Sequence, residues 1–197
     1  MFARRLGDDE RALQLWQESG LAYGPYYAGH YFRKSGNWMS AERELAIAAE
    51  SQPENALTHY YLCVVRSALR HLNEATVSCE RAVALASDNP TFRLLLADVL
   101  AEQGALDRAL AEAQVAVSLT RSPKAYLFLG RLQLKSDTLV NAEQSLQRSI
   151  ELEPTADAYY WLGVVLQRKG NLPDAQAAWR LALALDPNYA PALEALR

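Results

Sequence analysis

Apolar residues recur along the chain at the spacing of amphipathic helices, as in the stretch YYWLGVVLQRKG from Tyr159 to Gly170. No run alternates strictly between apolar and polar positions, and the β-branched residues are scattered, so the pattern does not favour strands. Alanine and leucine dominate the sequence, and glutamate, glutamine and arginine fill many of the remaining positions. All of these residues favour helices, so the sequence predicts an all-α protein.

A glycine in the middle of this helix, Gly163, belongs to a series of small residues that recurs every 33 or 34 residues. The series is Gly29, Cys63, Ala97, Gly130 and Gly163. Two later series follow in each unit, at Ala41, Ala75, Ala109, Ala142 and Ala175, and at Ala48, Ala82, Ala116, Ser149 and Ala182. A mid-helix glycine costs roughly 0.5–1 kcal/mol relative to alanine, so a gain in packing must offset it. We therefore expect Gly163 to be a contact between the two antiparallel helices of a hairpin.

Turn residues separate these helices. Gly36, Gly104 and Gly170 lie seven residues after the small position, where the first helix of a hairpin would need a C-cap. Loops rich in proline, aspartate, asparagine and serine, such as SQPEN, ASDNP and LEPTAD, separate one unit from the next.

The repeated pattern resembles the tetratricopeptide repeat, a unit of about 34 residues with the pattern W-x2-L-G-x2-Y…A-x3-F…P. The last unit matches best, with Tyr159, Leu162, Gly163, Leu166, Ala175, Trp179, Ala182 and Pro187 in register. The resemblance covers five units, 22–55, 56–89, 90–122, 123–155 and 156–189, and the third has Arg93 where the large aromatic residue belongs. It implies a right-handed superhelical α-solenoid of stacked antiparallel helix pairs.

Both ends of the chain carry incomplete patterns. Residues 1–21 include DDERALQLWQESG, which has the spacing of a second helix, and are interpreted as a partial repeat or an N-terminal capping helix. Residues 190–197 are interpreted as a C-terminal capping helix or a truncated repeat. A fragment of a longer array is the favoured interpretation. Because terminal units without polar caps expose apolar faces, self-association through them is a further expectation.

The charge balance and the cysteines narrow the classes of function. A formal net charge of −3 at pH 7 gives no electrostatic reason to expect nucleic-acid binding. No apolar run is long enough to span a membrane, and the first residues lack the apolar core of a signal peptide, so a cytoplasmic location is the default expectation. Cys63 and Cys79 do not make a disulfide framework or a zinc site, and we expect both to be reduced, buried and inert.

The sequence contains no pattern typical of catalysis or of a cofactor site. Its histidines, His30, His59 and His71, lack the spacing of a zinc site, no serine lies in a G-x-S-x-G turn, and there is no glycine-rich phosphate loop. We therefore predict no catalytic residues, no metal site and no cofactor, and a protein that is not an enzyme.

In tetratricopeptide arrays the first helices line a concave groove, and the resemblance implies which residues face it here. Carried over by register, these groove residues are Tyr26, His30, Arg33, Tyr60, Val64, Leu94, Asp98, Leu127, Arg131, Tyr160, Val164 and Gln167. Such an aromatic trough with charged ends suits an extended peptide or a short helix. The leading prediction is a non-enzymatic protein–protein interaction scaffold that binds a partner protein of unidentified kind in this groove.

Other interpretations stay open beside this one. The tyrosines would serve only as support for the adjacent helix if no partner binds them. The clamp by which chaperone-binding members grip a terminal carboxylate is not expected, since Tyr26, His30 and Tyr61 occupy its positions. The half-repeat at the start motivates a different hypothesis, an accessory module cut from a larger bacterial membrane-associated protein that assembles polysaccharide or envelope. RNA binding by related helical hairpins is disfavoured by the acidic balance.

Overall fold

The structure is a computed structural model that describes residue 14 and residues 23–197. Over this part of the chain it has eleven helices and no strand. In chain order they are α1 (Gly24–Lys34), α2 (Trp38–Ser51), α3 (Ala56–Ala68), α4 (Leu72–Leu85), α5 (Pro90–Glu102), α6 (Leu106–Thr120), α7 (Pro123–Lys135), α8 (Leu139–Leu152), α9 (Ala156–Arg168), α10 (Leu172–Leu185) and α11 (Ala190–Ala195). The partial repeat or capping helix predicted for residues 1–21 lies outside the described residues, apart from Gln14.

The chain divides into two compact units, Met1–Gln103 and Gly104–Arg197. In the first unit each helix from α1 to α5 packs against the next, and α3 also touches both α1 and α5. In the second unit each helix from α6 to α11 packs against the next, and α7 also touches α9. None of the described helices is both long and apolar enough to cross a bilayer.

Each unit has its own apolar core between paired helices. In the first unit Leu45, Leu62 and Val65 are buried together, and Trp38 packs against them. In the second unit one cluster contains Leu146 and Val165, and another surrounds Trp179. All-α structure, predicted from the spacing of apolar residues, is confirmed over the described part of the chain.

The small residues lie where the two helices of a hairpin touch. An ideal Cβ built on Gly163 would lie 2.3 Å from Nε1 of Trp179. The same construction brings Gly29 within 2.6 Å of Leu45 Cγ and Gly130 within 2.7 Å of Leu146 Cγ, distances that real Cβ atoms essentially never show. Each small residue thus contacts the side chain sixteen positions further along the chain. The prediction that these glycines are packing contacts is confirmed.

Cys63 and Cys79 form a disulfide between α3 and α4. Their Cα atoms are 5.3 Å apart, a normal separation for bridged cysteines. The prediction that both are buried is confirmed, at 0% and 1% exposure, whereas the prediction that they are reduced is wrong. The reason is the repeat itself. Cys63 takes the small position and Cys79 follows it by sixteen residues, so they face each other as Gly29 and Leu45 do in the preceding hairpin.

Left-handed backbone closes the turns inside the hairpins. Gly36, Gly104 and Gly170 have φ of 78°, 84° and 82°, as predicted for glycines that end a helix. Arg70 and Asp137 take the equivalent place in their own units, with φ of 65° and 59°. A residue with a Cβ adopts this conformation at a cost of roughly 1 kcal/mol, so these two turns hold mild backbone strain.

Side-chain caps fix where several first helices begin. The Oδ1 atom of Asn55 accepts hydrogen bonds from two N–H groups at the start of α3, and Asn89 does the same for α5. Ser122 and Thr155 accept from the N–H groups of α7 and α9 through their hydroxyls. Caps of this kind stabilise a helix by about 1 kcal/mol each and set the register of the residues that follow.

Candidate functional site

The predicted groove residues of the first unit lie on its first helices. Tyr26, His30 and Arg33 belong to α1, Tyr60 and Val64 to α3, and Leu94 and Asp98 to α5. All are half-buried except Asp98, which is exposed. They therefore lie on the first helix of each of three successive hairpins.

Aromatic rings connect these three helices. The ring of Tyr61 lies between its neighbours, with its centroid 6.1 Å from that of Tyr26 and 5.0 Å from that of His30. It is also 5.2 Å from Tyr60, which in turn stacks on Phe92 of α5 at 4.9 Å. We call this group the tyrosine cluster; its members are Tyr26, His30, Arg33, Tyr60, Tyr61 and Phe92.

Polar atoms inside the tyrosine cluster lack partners. Among the described residues, Nδ1 of His30 and Nε of Arg33 are buried and make no hydrogen bond. The guanidinium carbon of Arg33 lies 4.9 Å from the ring centroid of Tyr61, a cation–π contact. Burial, followed by the positive charges of Arg33 and Lys34, lowers the pKa of His30 below its ordinary value, so this imidazole is neutral at pH 7.

Burial also acts on the tyrosines of this cluster. It is the largest cause that raises the pKa of Tyr26 and of Tyr60, and the neighbouring Tyr61 adds to it. Both hydroxyls consequently stay protonated well beyond neutral pH, and each can donate a hydrogen bond as well as accept one.

The predicted groove residues of the second unit lie on α7 and α9. Leu127 and Arg131 belong to α7, and Tyr160, Val164 and Gln167 belong to α9. Leu127 and Val164 pack against the buried core of this unit, whereas Arg131 and Gln167 are exposed. Leucine and valine at these places thus contribute to the core as well as to the helix surface.

A second aromatic group surrounds the start of α9. The ring of Tyr160 is 5.2 Å from that of Trp161 and 5.8 Å from that of Tyr189. Oδ1 of Asp157 accepts hydrogen bonds from Nε1 of Trp161 at 3.0 Å and from the Tyr189 hydroxyl at 2.8 Å. The guanidinium carbon of Arg131 lies 4.8 Å from the Trp161 ring. We call Arg131, Asp157, Tyr160, Trp161 and Tyr189 the tryptophan cluster.

Six of the twelve predicted groove residues are members of one of the two clusters, and the other six are not. The members are Tyr26, His30, Arg33 and Tyr60 in the first unit, and Arg131 and Tyr160 in the second. Those outside the clusters are Val64, Leu94, Asp98, Leu127, Val164 and Gln167. Tyr26 and Tyr160 also pack against the cores of their units, so both support a neighbouring helix. Binding of a partner by their remaining surface stays a prediction.

Two residues at the centre of the clusters, Tyr61 and Trp161, are absent from the predicted groove set. Both take the sixth position of their units, which reads Tyr27, Tyr61, Leu95, Phe128 and Trp161 from the first unit to the last. This recurrence of aromatic residues is a signal in the sequence itself. The register carried over from the family does not include that position, so it does not predict Tyr61 or Trp161.

The described residues offer aromatic surfaces, hydrogen bonds and charge, without a metal-binding group. No set of three histidine, cysteine, aspartate or glutamate side chains among them has the arrangement of a metal site. Both cysteine thiols of the chain are consumed by the disulfide.

Known proteins share this pattern of helices. Two family models, both described as tetratricopeptide repeat, match residues 66–126 and 156–189. No curated protein sequence matches the chain. Among solved structures, YrrB is described as a TPR protein with an unusual peptide-binding site. It is 22% identical, with a TM-score of 0.74 over 92% of this chain and 95% of YrrB.

Two further structures agree. MamA from Desulfovibrio magneticus RS-1 is 17% identical, with a TM-score of 0.78 over 85% of this chain and 96% of its own. TTC0263, a thermophilic TPR protein from Thermus thermophilus, is 20% identical, with a TM-score of 0.68 over 89% and 97%. These likenesses show the predicted fold class, an all-α array of paired helices. The two matching family models identify tetratricopeptide repeats at residues 66–126 and 156–189 of the chain.

Proposed function

We propose that this protein is a non-enzymatic interaction scaffold that binds a peptide or a helix of a partner protein on its first helices. The observation that carries the proposal is the half-buried aromatic surface that the tyrosine cluster presents on α1, α3 and α5. The description of YrrB as a peptide-binding TPR protein supports the same kind of function.

The tyrosine cluster has the properties of a prepared binding surface. Ring contacts hold Tyr26, Tyr60 and Tyr61 in place, so ordering them on binding costs little conformational entropy. A tyrosine ring offers apolar area together with a hydroxyl, which is why tyrosine is common among residues that dominate binding energy. In the tryptophan cluster, Tyr160 offers the same chemistry, held between two neighbouring rings.

A pull-down with the whole chain tests the proposal. The test variant carries Tyr26→Ala, Tyr60→Ala and Tyr160→Ala, and the bait is incubated with a lysate of the source organism. The matched control carries Met39→Ala, Val77→Ala and Leu181→Ala, which remove exposed apolar side chains from second helices. We expect a partner to be recovered by the unchanged protein and by the control, and lost by the test variant.

Thermal unfolding of each variant, followed by circular dichroism, shows whether the variants are folded at the temperature of the pull-down. A folded tyrosine variant that recovers the partner in full would contradict binding on the first helices. Loss of the partner with the control variant alone would place binding on the second helices instead.

We further propose, from the disulfide, that the chain lies in an oxidising compartment and not in the default cytoplasmic location, which fits an extramembrane accessory module of a larger membrane-associated protein. Disulfides form and persist in oxidising compartments and are rare in the cytosol, and Cys63–Cys79 is buried inside a hairpin. Alkylation of free thiols in intact cells, followed by denaturation and a second alkylation after reduction, measures the oxidised fraction. Mostly reduced protein in those cells would contradict this hypothesis.

A further inference from the structure

Two arginines on first helices stack on aromatic rings and form no ion pair with any described residue. Arg33 lies over the ring of Tyr61 and Arg131 over the ring of Trp161, at 4.9 and 4.8 Å. Six other described arginines do pair with carboxylates: Arg43 with Glu44 at 3.0 Å, Arg66 with Glu42 at 3.0 Å, Arg70 with Glu102 at 2.7 Å, Arg81 with Glu54 at 2.6 Å, Arg148 with Glu151 at 2.6 Å and Arg168 with Asp137 at 3.5 Å. The two ring-stacked arginines therefore carry charge that their own units do not neutralise by an ion pair.

Stacking on a ring sets the orientation of a guanidinium. A guanidinium that stacks on an aromatic face directs N–H donors outward in its own plane, where a carboxylate can accept two of them. A neighbouring ring also removes water from one side of the guanidinium, which strengthens its attraction for an anion. The arrangement occurs once in each unit, at different positions of the repeat, so two independent observations support it.

The first unit adds unpaired hydrogen-bonding atoms at the same place. Nε of Arg33 is buried without a partner, and so is Nδ1 of the neutral His30, whose ring lies 5.0 Å from Tyr61. Buried polar groups in folded proteins nearly always have partners, so each exception needs an explanation. A ligand that accepts a hydrogen bond from Arg33 would provide one.

We propose that Arg33 and Arg131, each within its own unit, bind a side-chain carboxylate, so that each unit prefers a segment rich in aspartate or glutamate with apolar residues between them. This inference rests on the proposed function and specifies the partner's chemistry. The apolar residues of a segment bound by the first unit would lie against Tyr26 and Tyr60, beside Arg33, and those of a segment bound by the second unit would lie against Tyr160.

Two peptide probes test the charge preference directly. Both are fluorescein-labelled twelve-residue peptides with an amidated C-terminus; one alternates glutamate with leucine, and the other has glutamine in place of every glutamate. Binding to the full chain is measured by fluorescence anisotropy. We expect the glutamate peptide to bind at least about tenfold more tightly than the glutamine peptide. Amidation ensures that the terminal carboxylate contributes nothing.

Variants locate the binding groups. In an Arg131→Gln background, where only the first unit keeps its ring-contacting arginine, Arg33→Gln should weaken binding of the glutamate peptide by about tenfold, and Arg33→Lys should weaken it too, because lysine keeps the charge without the paired donors. In an Arg33→Gln background, Arg131→Gln should likewise weaken the remaining binding by about tenfold. Lys34→Gln is the matched control. It removes an exposed charge next to Arg33 and should change the affinity less than about twofold. Circular dichroism of each variant establishes that the fold is intact.

Equal binding of both peptides, or binding of neither, overturns the inference, and so does a loss with Lys34→Gln as large as that with Arg33→Gln. The pull-down separates this failure from a failure of the proposed function. If the partner is recovered in a tyrosine-dependent way while the glutamate peptide shows no preference, only the carboxylate inference is wrong. If the tyrosine variant recovers the partner in full, the proposed function is wrong as well.

Discussion

Replacing Gly163 with alanine would place one methyl group inside the tightest contact between α9 and α10. The added Cβ would lie 2.3 Å from Nε1 of Trp179 and 2.5 Å from its Cδ1. Trp179 has little freedom to move aside, since it is 1% exposed and its Nε1 donates a hydrogen bond to the carbonyl oxygen of Tyr160 at 3.2 Å. The methyl group would therefore displace either the indole or the backbone of α9.

Two effects of opposite sign decide the outcome. Alanine is the better helix former and would raise the free energy of unfolding by about 0.5–1 kcal/mol. Overpacking of a well-packed core lowers it by about 1–3 kcal/mol. Because the clash is with a rigid ring, we take the upper part of that range, which gives a net decrease of about 1–2 kcal/mol for Gly163→Ala.

Urea unfolding followed by far-UV circular dichroism measures this difference. The comparison is repeated in a Trp179→Ala background, where the ring is gone and the added methyl group has room. There Gly163→Ala should raise the free energy of unfolding by about 0.5–1 kcal/mol, so the substitution changes sign between the two backgrounds. An increase in both backgrounds would show that helix propensity alone governs this position and would refute the contact argument.

Three further predictions concern the disulfide, the turns and a histidine. Reducing the Cys63–Cys79 bond, whose closed loop has a sequence separation of 16, should lower the free energy of unfolding by about 3 kcal/mol. An unfolding midpoint that reductant leaves unchanged would contradict this contribution. Asp137→Gly should raise the free energy of unfolding by about 0.5–1 kcal/mol in urea titrations, because φ is 59° there, while Gly170→Ala, at a φ of 82°, should lower it by about 1 kcal/mol. His30 should titrate below 6.5 in NMR spectra because burial and nearby cations lower its pKa. Its contribution to stability is therefore complete above 6.5 and is lost as the pH falls through its folded pKa, and a measured pKa above 6.5 would contradict the structure.

The helices and their contacts could be predicted from the sequence because each repeat has a small residue where its two helices touch. Gly29, Gly130 and Gly163 are recognisable since a helix tolerates glycine only where something compensates for its cost. The bond between Cys63 and Cys79 was missed for a definable reason. Cys63 alone fits a small position and Cys79 alone fits a core position, and only the contact that joins those two positions predicts that they meet.

The candidate site was predictable only in part. Register places Tyr26, Tyr60 and Tyr160 on the first helices, and the structure agrees. Register does not show which side chains converge, because the contacts of Tyr61 and Trp161 depend on how successive first helices pack. The contacts between arginines and rings could not be predicted from register either. Arg33 and Arg131 occupy different positions of their repeats, and each contacts a ring one hairpin further along.

The covalent link between α3 and α4 has a consequence for how the first unit comes apart. In repeat proteins each hairpin is held mainly by its immediate neighbours, so opening spreads stepwise from one hairpin to the next. Opening that starts at α1 would reach a hairpin whose two helices cannot separate at Cys63 and Cys79 while the bond is intact. Amide protons of α3 and α4 should consequently exchange with solvent more slowly than those of α1 and α2, and reduction should narrow that difference.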